Sequence, residues 1–408
     1  MLASRLAEAG FECELVDLSV FGKAPFETAR AQIVERLTRA GGDVYCLSPC
    51  TASYSVAKLV AQWIRTAVRC NASIVVGGCH ATNFSTRCIE DGFDVAVRGR
   101  GEQIIVRLIT ALLGGHAPEA IPGIVYRFSR DVIVATPNPL ATKQDGVPFR
   151  SDFSILPDDF VIDVLRVFTS HGCPFRCAFC ADVIWARRSP VLKNMVSFFG
   201  EIEELLTRFG PKPVLIGDET FTVSRKRVLD VCSGMAARQI QWFCRTRVDL
   251  VDDELLSIMA ESGCRLVHFG AETSDTALLK LLDKRVDPDM VERACLAAKR
   301  AGLRVITYWM AGVPGETRLT ALRTQEKICA LIEEGLTDYA DYYICVPYPG
   351  TDIYANPQKY NVEIIHKDFS EWREDQPSVM KTLALDENQI FEIWSDGIER
   401  ITSSTLLP

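Results

Sequence analysis

Three thiols stand together in Cys173-Pro-Phe-Arg-Cys177-Ala-Phe-Cys180, at C-x3-C-x2-C spacing. Thiolates select soft metals, iron–sulfur clusters above all. Three on one short loop can each hold one iron of a [4Fe–4S] cube, which leaves the fourth iron open to an outside chelate. A zinc site would want a fourth Cys or His at matched spacing, and none lies nearby. The remaining reading is three buried structural cysteines. The loop directly follows an apolar, β-like run and precedes a helical segment, so a strand and a helix must position it.

Five further turns follow the thiols, each behind a strand-like run. They are Gly217-Asp218-Glu219-Thr-Phe221, Cys244-Arg245-Thr-Arg247-Val-Asp249, Phe269-Gly270-Ala-Glu272-Thr-Ser274, Trp309-Met310-Ala-Gly312-Val-Pro314-Gly315-Glu316 and Pro347-Tyr348-Pro349-Gly350-Thr351. With the cysteine triplet they resemble the radical SAM superfamily, whose members bind S-adenosylmethionine (SAM) through the open iron and reduce it to methionine and a 5′-deoxyadenosyl radical. The resemblance implies roles for single residues. Phe179 would lie beside cluster and adenine, and Asp218 and Glu219 would hold the methionyl ammonium through carboxylates or backbone carbonyls. Arg245 or Arg247 would grip the SAM carboxylate, since a guanidinium does so bidentately. Glu272 would accept from the ribose hydroxyls or the ammonium, and the turn at Gly312 would approach the adenine. Each has a plainer alternative: a core aromatic for Phe179, an acid favoured by a helix N-terminus for Asp218 and Glu219, and a surface ion pair for each arginine.

Behind these turns lie six strand-like runs: Asp163–Thr169, Pro213–Ile216, Gln241–Arg245, Leu266–Phe269, Arg304–Met310 and Asp341–Val346. Helical stretches separate them at Val196–Arg208, Arg225–Arg238, Asp252–Ser262, Met290–Ala301 and Leu319–Glu334. Six βα units match the partial (β/α)6 barrel of the resembled superfamily, with functional groups at the carboxyl ends of strands.

The first 115 residues also alternate, at shorter period. Helices are expected at Leu2–Ala9, Thr28–Ala40, Ser55–Val68 and Glu102–Leu113, with strands at Glu12–Leu18, Asp43–Ser48, Ser73–Val76 and Asp94–Val97. Such alternation with Gly-rich strand ends gives a doubly wound, Rossmann-like sheet that binds ligands beyond its carboxyl edge. The loops Leu47-Ser48-Pro-Cys-Thr51, Gly77-Gly78-Cys-His80-Ala-Thr82 and Arg98-Gly99-Arg-Gly101-Glu102 resemble those of the cobalamin-binding domain in the B12-type radical SAM subfamily. The resemblance implies that Gly77, Gly78 and Gly99 admit the corrinoid's nucleotide tail and that Ser48, Thr51 and Thr82 donate to it, with His80 nearby. The competing reading is that any doubly wound sheet needs glycines at its strand ends, and that His80 is a satisfied loop histidine. The family domain opens with a strand and a Pro-rich loop, whereas this chain opens inside the first helix, so that first strand is apparently missing. No D-x-H-x-x-G stretch is present.

The expected organisation is therefore a cobalamin-binding-like domain over 1–115, a linker over 116–160 carrying a hairpin (Gly123–Phe128 with Val132–Ala135), the radical SAM barrel over 161–351, and a capping region over 352–408 with a final helix at Glu387–Ile401. Tyr339, Tyr342, Tyr343 and Tyr348 are expected in the core or at the substrate.

The whole chain sets limits on function. It has 408 residues, 48% hydrophobic and 24% charged, with a net charge of −8 and no basic stripe. That argues against a nucleic-acid partner. No run approaches eighteen uninterrupted apolar residues, and the start lacks a secretory apolar core, so no membrane partner and a cytoplasmic protein are expected. Fifteen cysteines in such a chain are metal ligands and small core hydrophobes more often than disulfides. The resemblance implies a [4Fe–4S] cluster, SAM, a small-molecule substrate and flavodoxin, ferredoxin or another reductase as electron donor. Two reactions stay open. One is a cobalamin-dependent methyltransferase acting on a small natural-product intermediate. The other is a cobalamin-independent dehydratase or deoxygenase of an aminosugar diol, with a relic cobalamin domain.

Overall fold

The computed structural model describes residues 1–18, 25–137, 152–156, 160, 162–181 and 190–404. The chain divides into two units, Met1–Val161 and Ile162–Pro408.

The first unit is built on five strands, β1 (Val44–Leu47), β2 (Ser73–Val76), β3 (Val95–Val97), β4 (Ile124–Ser129) and β5 (Val132–Ala135), hydrogen-bonded in that order. The first three run parallel and the last two antiparallel. Parallel strands need crossovers, supplied by the helices Tyr54–Trp63 and, between β2 and β3, Gly78–Asn83 and Ser85–Glu90. Side chains alternate between the sheet faces. Val75, Val95 and Val97 pack with Leu108 of the helix Ile105–Leu113, while Ile74, Val76 and Ala96 on the opposite face are wholly buried. Burial on both faces is why these strands read as unbroken apolar runs.

Two expectations change here. The hairpin forms, but it is the antiparallel edge of the N-terminal sheet rather than part of a free linker, because β4 pairs with β3 from Val97↔Ile124 to Val95↔Tyr126. Residues 12–18 form no strand. Phe11 and Cys13 instead pack by side chain against Leu6, Ile105 and Ile109. Alternation shows only that one side is buried, and a helix surface can bury it as well as a sheet can.

The second unit holds six parallel strands in sequential order, β6 (Leu165–Val167), β7 (Val214–Ile216), β8 (Trp242–Thr246), β9 (Cys264–Glu272), β10 (Arg304–Ala311) and β11 (Tyr339–Ile344). This is the expected six-unit partial barrel. Trp242, Cys244, Val267, Phe269, Val305 and Trp309 are buried on the outer, helix-covered face. The alternate set, including Arg245, His268, Tyr308 and Tyr343, points to the inner face. Helices between the strands begin on side-chain caps: Asn194, Ser224, Asp252, Asp287 and Thr317 each accept from a backbone N–H of the first turn. These caps satisfy donors that helix starts leave open.

The last helix, Glu387–Ser404, was expected to cap the open side of the barrel. It lies instead on the outer face. Trp394 Nε1 donates to Tyr342 O at 2.8 Å and Gln325 Nε2 to Ile393 O at 2.9 Å. A Cβ on Gly397 would fall 2.5 Å from the Tyr342 ring, so the helix and β11 meet through a glycine. Among the described residues no helix is long and apolar enough to cross a membrane.

Candidate functional site

The cysteine loop is fastened from three directions. Ala178 N donates to Leu282 O at 2.8 Å, Ile353 N donates to Ala178 O at 3.2 Å, and Cys180 N closes a turn on Cys177 O at 3.0 Å. The turn after β7 grips the start of the loop. Asp218 accepts from Thr169 N and Oγ1, both at 2.6 Å, and from Ser170 Oγ at 2.7 Å. Glu219 accepts from Gly172 N at 3.1 Å, and Thr220 Oγ1 lies 3.4 Å from Cys173 Sγ. Arg227 ties the same platform from below, donating to Thr169 Oγ1 at 3.1 Å and Lys193 O at 2.6 Å.

This removes the Asp218 carboxylate, but not its backbone carbonyl, from the groups expected to hold the methionyl ammonium. Its carboxylate is 1% exposed and committed to the loop. Burial pushes its pKa up, while the Thr169 and Ser170 donors pull it back. Its neighbour Glu219 also holds the loop through Gly172.

Above β8 the two candidate arginines separate. Arg247 is 4% exposed. It clasps Asp249 with Nε at 2.9 Å and Nη2 at 3.0 Å, donates to Lys284 O at 2.6 Å, and points Nη1 at Cys177 Sγ at 3.7 Å. Its guanidinium also lies over the Phe175 ring, 3.9 Å from the centroid. With four of its five N–H donors taken, Arg247 serves a thiol and has no bidentate fork to offer a ligand carboxylate, which corrects that expectation for it. Arg245 projects into the cavity.

Glu272 ends β9 with a left-handed backbone, φ 70°, a conformation costly for a residue with a Cβ. The bend turns its carboxylate onto Lys284 Nζ at 2.6 Å. Gly270 makes room for the pair, since a Cβ there would lie 2.5 Å from Glu272 Oε1 and 2.8 Å from Lys284 Nζ. Sequence reasoning missed Lys284. It sits in Leu-Leu-Asp-Lys-Arg-Val behind a short helix, and no spacing rule marks it. Burial pushes the Cys177 thiol up, and Lys284 and Arg247 pull it down.

A cavity of about 350 Å³ opens beside the loop, lined among others by Phe179, Arg245, Glu272, Tyr308, Met310 and Tyr343. Phe179 thus joins the third thiol to the cavity, and it packs on the cluster around Ala178, Val313 and Cys345. Tyr343 and Tyr348 line the cavity, whereas Tyr342 is core. Gly312 plays a different part from the one expected. With φ 72° its Cα faces the final helix, and a Cβ would strike Ile390 at 2.5 Å, so the close approach is to protein.

The thiols fit an iron–sulfur cluster. They come from one pinned loop, and two cations stand near Cys177 to offset thiolate charge. Among the described residues no three His, Cys, Asp or Glu side chains converge on one ion.

In the first unit the carboxyl ends of β1, β2 and β3 bring Ser48, Gly77, Gly78, Thr82 and Gly99 together. Thr82 Oγ1 donates to Gly78 O at 2.8 Å and accepts from Gly99 N at 3.0 Å, stitching two strand ends. Gly78, at φ 87°, abuts Ser48 Oγ and Pro49 O, which a Cβ would meet at 2.9 and 3.1 Å. Gly77 differs. Its backbone is extended, and a Cβ would touch only Val97 Cβ at 3.9 Å. The fold does not require a glycine there, so its bare Cα fits close approach by a ligand, with the exposed Ser48 hydroxyl alongside.

His80 and Thr51 do not belong to that edge. His80 is 0% exposed, its ring stacked on Tyr54 at 3.7 Å and its Nδ1 3.4 Å from Thr51 Oγ1, itself buried. Burial lowers the His80 pKa to about 4. Both residues are core, because the helix starting at Gly78 turns its third residue inward.

Comparison with known proteins agrees with this division. Residues 167–328 match the Radical SAM superfamily and residues 1–109 the B12 binding domain. An uncharacterized methyltransferase of Pyrococcus horikoshii is 29% identical over 313 residues, 74% of this chain and 65% of that protein. An anaerobic magnesium-protoporphyrin IX monomethyl ester cyclase of Cereibacter sphaeroides is 26% identical over 381 residues, 88% of this chain and 60% of that protein. The chain thus spans less than two thirds of the length of these relatives. Among solved structures, the radical SAM methyltransferase TsrM of Kitasatospora setae, with cobalamin and a [4Fe–4S] cluster bound, superposes with a TM-score of 0.73 at 17% identity, over 99% of this chain and 85% of that one. The cobalamin-dependent SAM radical enzyme OxsB gives 0.70 at 16% identity, over 95% and 62%. At these identities the structural likeness establishes the fold.

Proposed function

We propose that this chain, which carries a B12-binding domain followed by a radical SAM domain, is a cobalamin-dependent radical SAM methyltransferase of a small molecule. The observation that carries the reading is the pinned loop of Cys173, Cys177 and Cys180, with Arg247 on one sulfur and the cavity at its side. When bound, the cluster supplies the electron that splits SAM into methionine and a 5′-deoxyadenosyl radical, and the corrinoid supplies a methyl carrier. The names of the Pyrococcus horikoshii relative and of TsrM favour methyl transfer. An outside reductase of the flavodoxin or ferredoxin kind would deliver the electron.

The chain's own residues hold and shield. Cys173, Cys177 and Cys180 would ligate three irons. Arg247, fixed by Asp249, would hydrogen-bond the Cys177 sulfur and lessen its negative charge, a route by which proteins raise cluster potentials. Glu272, turned inward by its left-handed backbone and oriented by Lys284, would accept from the cationic or hydroxyl groups of SAM. Phe179 and Met310 form apolar wall, which excludes water and easily abstracted hydrogens. Ser48 and Gly77 would meet the corrinoid.

The test is anaerobic incubation of the cluster-reconstituted protein with SAM carrying a deuterated methyl group, hydroxocobalamin and dithionite. Expected are 5′-deoxyadenosine and loss of the labelled methyl from SAM, with the methyl loss alone depending on the corrinoid. Cys177→Ala abolishes both. 5′-Deoxyadenosine formed without any corrinoid-dependent methyl loss would transfer the case to the dehydratase or deoxygenase reading. If no 5′-deoxyadenosine and no methyl loss occur, both readings fall.

A further inference from the structure

We propose that the inner end of the barrel cavity is a subsite for an anionic group, carboxylate or phosphate, of the substrate, and that Arg245 grips it. The proposal rests on the reading of the barrel as a radical SAM site and names the substrate class that site would accept: a small molecule with an apolar or aromatic body and one anionic end.

Cations near the cavity are of two kinds. Arg247 and Lys284 carry carboxylate partners, Asp249 and Glu272. Arg245 lines the cavity and has no ion-pair partner among the described residues. Glu272, tied to Lys284, and Glu374 also line the cavity, and Asp341 lies near enough to feel the charge of Arg245. With none of them at ion-pair distance, the guanidinium keeps a planar pair of donors for an incoming anion.

Its level in the barrel separates it from the cluster. Arg245 pairs in register with His268 on β9, four residues before Glu272. At about 3.3 Å per residue the two stand on the order of 10 Å apart along the strands. The cavity reaches both. A ligand held at the Glu272 level, next to the thiols, therefore leaves the Arg245 level for a second molecule.

The surroundings at that level suit an organic anion. His268 stacks on Phe243 at 5.9 Å and on Tyr308 at 5.6 Å, and Tyr308 continues to Tyr343 at 6.5 Å. These rings wall one side of the guanidinium, which is otherwise exposed to solvent and open to an incoming ligand. Tyr308 OH is fixed by His268 Nδ1 at 2.7 Å. Burial, and then the charge of Arg245, lower the His268 pKa to about 4, so this imidazole is neutral at physiological pH and Arg245 supplies the cationic charge of the stack. Tyr308 and His268 act as positioning residues for Arg245.

The experiment uses the full chain, anaerobically reconstituted, in equilibrium dialysis against four probes: phenylacetate, phenyl phosphate, benzyl alcohol and SAM. Wild-type protein is expected to retain at least one of the two anions well above benzyl alcohol, and whichever is favoured identifies the group. Arg245→Gln should weaken that anion by about tenfold or more, as loss of a charge-assisted pair implies, with benzyl alcohol and SAM unchanged. Arg245→Lys, which keeps the charge without the fork, should fall between. Tyr308→Phe should weaken the anion a few-fold and leave SAM alone. If Arg245→Gln weakens SAM as much as the anions, the arginine holds the SAM carboxylate and the proposal is overturned. Equal retention of anions and benzyl alcohol by wild type overturns it as well. Failure of the underlying reading looks different: wild type then binds neither iron nor SAM, whatever the anions do.

Discussion

Arg247 and Asp249 are two residues apart and form a bidentate pair beneath a thiol, with the arginine 4% exposed. Removing the acid leaves a buried guanidinium without its partner, which costs about 3–5 kcal/mol. Asp249→Ala should therefore lower the urea midpoint of the cluster-free protein strongly, whereas Asp275→Ala, which removes a half-buried helix cap, should cost about 1 kcal/mol. Equal small effects would show that Arg247 is not fixed as described. The glycines of the first unit give a second contrast. Gly78→Ala forces a side chain into a left-handed backbone against Ser48 and Pro49, so it should destabilise with or without ligand. Gly77→Ala meets only Val97 at contact distance and should leave the melting temperature of the ligand-free protein within a few degrees. If a corrinoid approaches that Cα, the same substitution should sharply reduce cobalamin retained after desalting.

The elements show why some expectations held and others did not. The barrel strands alternate a buried outer face with a more polar inner one and are spaced by helical stretches, so each was located within two residues of its start. Residues 12–18 failed because alternation does not reveal what does the burying. His80 lies in the short helix Gly78–Asn83, whose turn carries it inward. Gly312 was legible as a glycine but not as the contact for Ile390, 78 residues later in the chain. The turn after β10 holds another such residue. Glu316 is wholly buried, accepts from Gly312 N at 2.5 Å, and its pKa is pushed by burial from 4.5 up to about 8. A raised folded-state pKa contributes stability that is complete below about pH 4.5 and is lost as pH rises through about 8. Across that window the folded state binds the proton that the unfolded state releases, giving a decline of up to about 1.4 kcal/mol per pH unit. Glu316→Gln keeps the acceptor for Gly312 and removes the titration. Its stability relative to wild type should therefore rise from pH ~5 to pH ~8, as read by urea midpoints at both ends. A constant difference would show that Glu316 titrates normally.

For the molecule as a whole, what the sequence made legible was the division of labour: a sheet with glycine-rich edges, then a six-strand barrel opened by three thiols. The thiol spacing and the turns at strand ends are local patterns, and local patterns survive in sequence. Most partners of the site residues were not legible, because they are long-range; Asp249, two residues from Arg247, is the exception. Lys284 meets Glu272 only through the left-handed end of β9, and Asp218 reaches Thr169 across 49 positions. Charge type was thus readable while charge assignment was not, which is why Asp218 and Arg247 turned out to support the loop. The central claim, that one chain holds both a three-thiol cluster and a corrinoid, is tested most directly by metal content. Protein reconstituted anaerobically with iron, sulfide and hydroxocobalamin, then desalted, should retain about four irons and about one cobalt per chain, with iron lost in Cys173→Ala. Four irons without cobalt would contradict the corrinoid half of the account, and no iron would contradict all of it.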